Sequence, residues 1–244
     1  MQDAEARAAP QPEDQVALFV LVHGMCHGAW CWDHLTPRLA ALGHECVAVD
    51  LPCEDPEAGI VVYARHVTIA LGNTNDAILV GHSLGGLTIP VVATDRPVRR
   101  LVYLCAAVPI PGVSWFDQET TNPTLAQEAP VITVIHDDGT ISVTDEGAID
   151  AFYHDCTPQT QTWALAHLRR QAWLPFIEPA PLTQLPDVPS SVILGREDRV
   201  VPTAYIRESA GKLGVVPIEL DGGHMPLLAR PEQLAHELDK LASL

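Results

Sequence analysis

The sequence predicts an α/β fold: a mostly parallel sheet of about six strands, flanked by helices and carrying one cap insertion. Three observations predict it. Apolar, β-branched runs recur at 17–23 (ALFVLVH), 76–82 (DAILVGH) and 190–195 (SSVILG) without polar alternation, as expected of strands buried on both faces. Helical patterns separate these runs, and strand–helix alternation implies parallel pairing. The alternation lapses only over 108–180. The expected organisation is a flexible acidic tail at 1–15, a core made of 16–107 and 181–244, and a cap at 108–180.

The elements follow in order. A helix is expected at 32–43, stopped by Gly43, then a strand at 45–51. A helix at 58–72 ends at Gly72 and precedes the strand at 76–82. The stretch 84–95 reads as one apolar helix with a kink at Pro90, followed by a strand at 99–106. Within the cap, VITVIHDDGTISV reads as a hairpin turning at Asp-Gly. Thr157 and Pro158 suit the cap and first turn of a helix. The alternation resumes with a strand at 190–195, a helix near 202–213, a strand at 216–220 and a last helix near 226–242.

Composition narrows the function. The chain has 244 residues, 47% hydrophobic and 18% charged, as in an ordinary globular domain. Its 31 acidic and 14 basic residues give a formal net charge of -17. That surface repels phosphate backbones and anionic lipid, so neither nucleic acid nor a membrane is expected as a partner. The start lacks a signal-peptide pattern, and no apolar run reaches the ~18 residues of a membrane span. With six scattered cysteines, this points to reduced thiols and a cytoplasmic location. No metal and no cofactor are called for, and a homodimer is not excluded.

GHSLGG (81–86) places Ser83 in a G-x-S-x-G pattern between a buried strand and a helix. A sharp turn there projects the hydroxyl of a nucleophile, and it needs small neighbours at Gly81 and Gly85. The loop HGMCHGAWCW (23–32) follows the first strand. With a nucleophile in this setting, the backbone N–H groups of Met25 and Leu84 are the expected oxyanion donors. His23 and His27 are expected to be structural, and Trp30 and Trp32 to anchor the core. A serine needs a base. His224 in DGGHMPLL follows the last strand, whereas His236 falls on the exposed side of the last helix. Asp198 in GREDRVVP is the expected acid, with Glu197 and Asp221 as alternatives. His82 is expected to pack.

Together FVLVHGMCHGAWCW, GHSLGG, GREDRVVP and GGHMPLL resemble the α/β-hydrolase superfamily. Within it they resemble the plant methyl-ester esterase and hydroxynitrile lyase group and its bacterial relatives. The likeness covers 17–107 and 188–244 and not the cap. It implies a serine hydrolase acting on a carboxylic ester. The lyases of the group carry Thr where this chain has Gly24, and Lys after the catalytic His, where this chain has Met225. The resemblance therefore favours an esterase over a cyanohydrin lyase. Lactonase and thioesterase activities use the same triad, and a ligand sensor with an idle triad is the non-enzymatic alternative. Seven of thirteen aromatic residues fall in the cap (Trp115, Phe116, Phe152, Tyr153, Trp163, Trp173, Phe176). They suggest an apolar pocket for a small, neutral ester, with Gly24, Trp115, Phe116, Phe152, Trp163 and Met225 as its expected lining.

Overall fold

The computed structural model describes residues 16–125 and 133–244, so the expected acidic tail lies outside the described residues. Six strands form the central sheet: β1 (Leu18–Val22), β2 (Glu45–Val49), β3 (Ile78–His82), β4 (Arg100–Leu104), β8 (Ser190–Gly195) and β9 (Ile218–Leu220). Their order is β2-β1-β3-β4-β8-β9 and every pairing is parallel. The apolar runs are continuous because the inner strands β1, β3, β4 and β8 are covered on both sides. Val20, Val22, Leu79, Leu101 and Leu194 pack into one core, and Phe19, Leu21, Ile78, Val80 and Leu104 into the other. From β1 the chain moves to one side to form β2 and then to the other to form β3. Strand order thus reverses beside β1, where open parallel sheets gather their ligand sites at the carboxyl ends of the strands.

The flanking helices are α1 (Thr36–Ala41), α2 (Ile60–Leu71), α3 (Ile89–Asp95), α8 (Thr203–Lys212), α9 (Pro226–Ala229) and α10 (Pro231–Ala242). Three differ from the sequence expectation for one reason, the chemistry of helix starts. The first is shorter, because the end of a 3-10 turn (Ala29–Trp32) and a turn at 33–35 occupy its expected beginning. Pro90 does not kink a helix: a 3-10 turn (Ser83–Leu87) comes first, and Pro90 falls in the first turn of α3, where its missing N–H costs nothing. Pro231 likewise opens α10 and separates it from α9.

Between β4 and β8 lie α4 (Trp115–Thr121), a three-stranded antiparallel sheet of β5 (Thr133–Ile135), β6 (Thr140–Val143) and β7 (Gln171–Ala172), and the helices α5 (Asp145–Ala151), α6 (Pro158–Leu165) and α7 (Leu174–Ile177). The β5–β6 hairpin turns at Asp138-Gly139, with Gly139 at φ 80°. Thr157 caps α6 by accepting the Thr160 N–H at 3.2 Å.

Gly81 shows how tightly the strand-to-helix turn is closed. A β-carbon there would stand 2.7 Å from the Gly85 carbonyl oxygen, a main-chain atom that cannot swing aside. Gly81→Ala is therefore expected to destabilise the fold by about 2 kcal/mol, as overpacking does. Urea unfolding checks it: an unchanged midpoint would show that the turn has slack.

Candidate active site

Four loops meet beyond the carboxyl ends of β1, β3, β8 and β9. Ser83 follows β3 directly and has φ 52°, the left-handed region that non-glycine residues avoid. Such backbone strain is concentrated at functional sites. The β1 loop presses against it: a β-carbon at Gly24 would fall 2.7 Å from that of Ser83. Ser83, Met25 and Leu84 line one cavity of about 60 Å³. Leu84 is the second residue of its helical turn, where a main-chain N–H has no partner within the turn. The Met25 N–H takes no main-chain partner among the described residues. Both residues expected to supply donors thus border the same cavity as Ser83.

The structure brings Asp198 to His224. The imidazole Nδ1 lies 3.0 and 2.9 Å from the two carboxylate oxygens, and both side chains are excluded from solvent, at 0% exposure for Asp198 and 1% for His224. A buried carboxylate requires compensating donors. Asp198 Oδ1 also accepts the N–H groups of Val200 (2.8 Å) and Val201 (3.0 Å). With the proton held on Nδ1, Nε2 is the nitrogen able to accept another. Of the alternatives, Glu197 is exposed and Asp221 pairs with Arg196. Among the described residues no hydrogen bond joins the Ser83 hydroxyl to this ring; such bonds commonly tighten only with substrate bound.

The other histidines of the region are neutral struts. His23 Nδ1 donates to the Gly24 carbonyl (2.8 Å), and its Nε2 accepts the Leu51 N–H (3.0 Å). His27 Nδ1 donates to the Met25 carbonyl (2.6 Å), and its Nε2 accepts the Tyr153 hydroxyl (2.7 Å). These bonds fix the loop that carries the Met25 amide. His82 packs 4.8 Å from the His224 ring and donates from Nε2 to the His224 carbonyl at 2.9 Å. Burial drives all three toward the neutral form: His23 is lowered to about 4, His27 to about 3, and His82 well below its ordinary range. The Cys105 thiol, buried beside Asp198, is pushed well above its usual range by desolvation and then by that carboxylate.

The cavity lining departs from the sequence expectation. Trp115 lines it, together with Ala107, Glu119, Phe176, Val200 and Val201. Phe116 does not: it is 45% exposed and faces Trp173. Phe152 lies beside the imidazole of His224, with ring centroids 5.9 Å apart, inside the core. Trp163 joins Trp30, His34 and His167 away from the cavity. Met225 is fully buried at the start of α9. Gly24 supplies close backbone approach rather than a wall. The reason is topological: α4 and α7 supply cavity residues, while Phe152 and Trp163, in and beside α5 and α6, pack elsewhere. Val200 and Val201 had a sequence signal, an apolar pair one residue beyond the candidate acid. Glu119 had none; loss of water around its carboxyl holds it above the usual carboxylate range, partly offset by a hydrogen bond from Trp115.

A six-stranded parallel sheet, a strained serine at a strand-to-helix turn and a carboxylate-bound imidazole beyond the last strand define a hydrolase architecture. A model of the α/β hydrolase family matches residues 19–237, and the chain belongs to that family. It is 28% identical to methylesterase 1 of Arabidopsis thaliana over 92% of this chain and 95% of that protein. It is 26% identical to salicylic acid-binding protein 2 of Nicotiana tabacum over 92% and 96%. Among solved structures, a pyrethroid hydrolase from Sphingobium faniae JZ-2 superposes with a TM-score of 0.79 at 26% identity, over 93% of this chain and 97% of that one.

The buried histidines set a pH dependence of stability. An unfolded chain protonates them near the ordinary value of 6.5, whereas the fold resists protonation of His23 until about 4 and of His27 until about 3. Below 6.5 the unfolded state therefore binds more protons. Their contribution is complete above pH 6.5 and is lost as pH falls to about 4 for His23 and about 3 for His27. The urea midpoint should drop across that window, and His23→Gln should make the drop shallower. An identical slope in the variant would show that His23 is not a source.

Proposed function

We propose that this carboxylic ester hydrolase cleaves a small, neutral ester through an acyl-enzyme, with Ser83 as nucleophile, His224 as general base and Asp198 as the acid that orients it. The observation that carries the reading is the buried Asp198–His224 pair, at 2.9 Å, beside a serine held at positive φ. Burial strengthens the attraction between the carboxylate and the imidazolium that forms when His224 takes the Ser83 proton. The Ser83 oxygen bonds to the ester carbonyl carbon, and the amides of Met25 and Leu84 receive the negative oxygen. His224 then gives its proton to the departing alcohol. Water, deprotonated by the same ring, cleaves the acyl-enzyme and restores the Ser83 hydroxyl.

The cavity argues for a compact acyl group. Its volume is about 60 Å³ and its walls are mainly Leu84, Trp115, Phe176, Val200 and Val201. Neutral substrates suit a chain of net charge -17 whose cavity holds one acidic side chain, Glu119. The names of the relatives, methylesterase and pyrethroid hydrolase, also favour an ester. Cyanohydrin cleavage is disfavoured: Met225 offers no ammonium beside His224, and the close approach of Gly24 to Ser83 leaves no room for a threonine.

Steady-state hydrolysis of p-nitrophenyl acetate tests the proposal. Ser83→Ala should lower kcat by about a thousandfold or more, and Asp198→Asn by a similar factor, because residues of such a unit fail together. An alanine variant that kept even half the wild-type rate would overturn the assignment of Ser83.

A further inference from the structure

The cap does more than cover the site. Residues at and just after the end of α5 touch the loop that follows β1 and the loops that carry the proposed acid and base. Arg199, next to Asp198, reaches Asp150 Oδ1 at 2.5 Å. The Phe152 ring lies at 29° to the His224 imidazole, 5.9 Å away. Tyr153 donates its hydroxyl to His27 Nε2 at 2.7 Å, in the loop bearing Met25. His154 Nε2 donates to the Glu197 carbonyl at 3.2 Å, one residue before Asp198. Asp155 Oδ2 accepts the Gly223 N–H at 3.0 Å, one residue before His224.

These are not generic cap-to-body contacts. The Asp155 side chain is only 10% exposed, and its Oδ2 lies 3.7 Å from the Arg230 guanidinium, which donates from Nε to the Asp221 carbonyl at 2.8 Å. Gly223 fits against the segment so closely that a β-carbon there would strike the His154 ring and the Asp155 carboxylate. The acid loop and the base loop are thus held from outside by two adjacent side chains, in addition to the Asp198–His224 bond and the Glu197 N–H to Gly222 carbonyl bond (2.9 Å) between them.

Resting on the triad reading above, we propose that His154 and Asp155 are positioning residues: they set the distance and angle between Asp198 and His224 without touching substrate. Small displacements of a catalytic group cost large factors in rate. The effect should fall on the chemical step rather than on binding, since neither residue lines the cavity.

The test compares wild type with Asp155→Ala, Asp155→Asn and His154→Ala. It measures kcat and KM for p-nitrophenyl acetate and the rate at which a fluorophosphonate labels Ser83. Asp155→Ala should lower kcat and the labelling rate by about tenfold or more, with KM within about threefold of wild type. Asp155→Asn keeps an acceptor oxygen for Gly223 and should recover to within about threefold. His154→Ala, which removes a partly exposed ring, should slow labelling several-fold, and it decides the matter if Asp155→Ala does not fold. Wild-type labelling rates in both alanine variants would overturn the proposal. So would an Asp155→Asn variant as slow as Asp155→Ala, which would make lost charge or lost folding the cause. If wild-type Ser83 is not labelled, the triad reading fails instead, and the two failures are distinct.

Discussion

A buried carboxylate is the constraint around which this site is arranged. The Asp198 side chain is wholly removed from water, and an unpaired ion there would be strongly destabilising. Its oxygens are met by the Val200 and Val201 amides and by the His224 ring. That requirement folds the loop after β8 back on itself and draws the loop after β9 toward it. The direction of the imidazole, with Nδ1 turned inward, follows from satisfying the charge.

The sheet makes this convergence possible. Parallel strands deliver all their carboxyl ends to one edge, and the change of strand order around β1 opens a crevice there. Ser83 rises from β3 into that crevice because its backbone is left-handed and its neighbours are small. The neutral His23 and His27 hold the facing loop through hydrogen bonds that protonation would break. Keeping them uncharged links the folding of the region to pH, while His82 ties β3 to the His224 backbone.

The segment between β4 and β8 meets the site region through different elements. The segments around α4 and α7 supply Trp115, Glu119 and Phe176 to the cavity. The end of α5 instead grips the loops behind it. A segment divided in this way can vary its cavity-facing residues while leaving undisturbed the stretch that reaches Gly223 and Glu197.

The amino-acid sequence by itself determined the sheet, the serine turn and the loops after β8 and β9 that bring Asp198 and His224 together. Each is signalled locally: continuous apolar runs mark strands covered on both faces, Gly81 and Gly85 mark a turn that only small residues allow, and the loops are placed by their strands. Local chemistry also set the helix starts at Pro90 and Pro231, although the run from 84 to 95 read as one helix because apolar periodicity does not register a 3-10 turn. Only the tertiary structure decided which cap aromatics meet the cavity. Phe152 and Trp163 have the same composition signal as Trp115 and Phe176, and what separates them is the packing of helices joined by irregular chain. Asp155 and Gly223 likewise lie 68 residues apart. No local pattern encodes their contact, because it exists only where the segment between β4 and β8 packs against the end of the sheet.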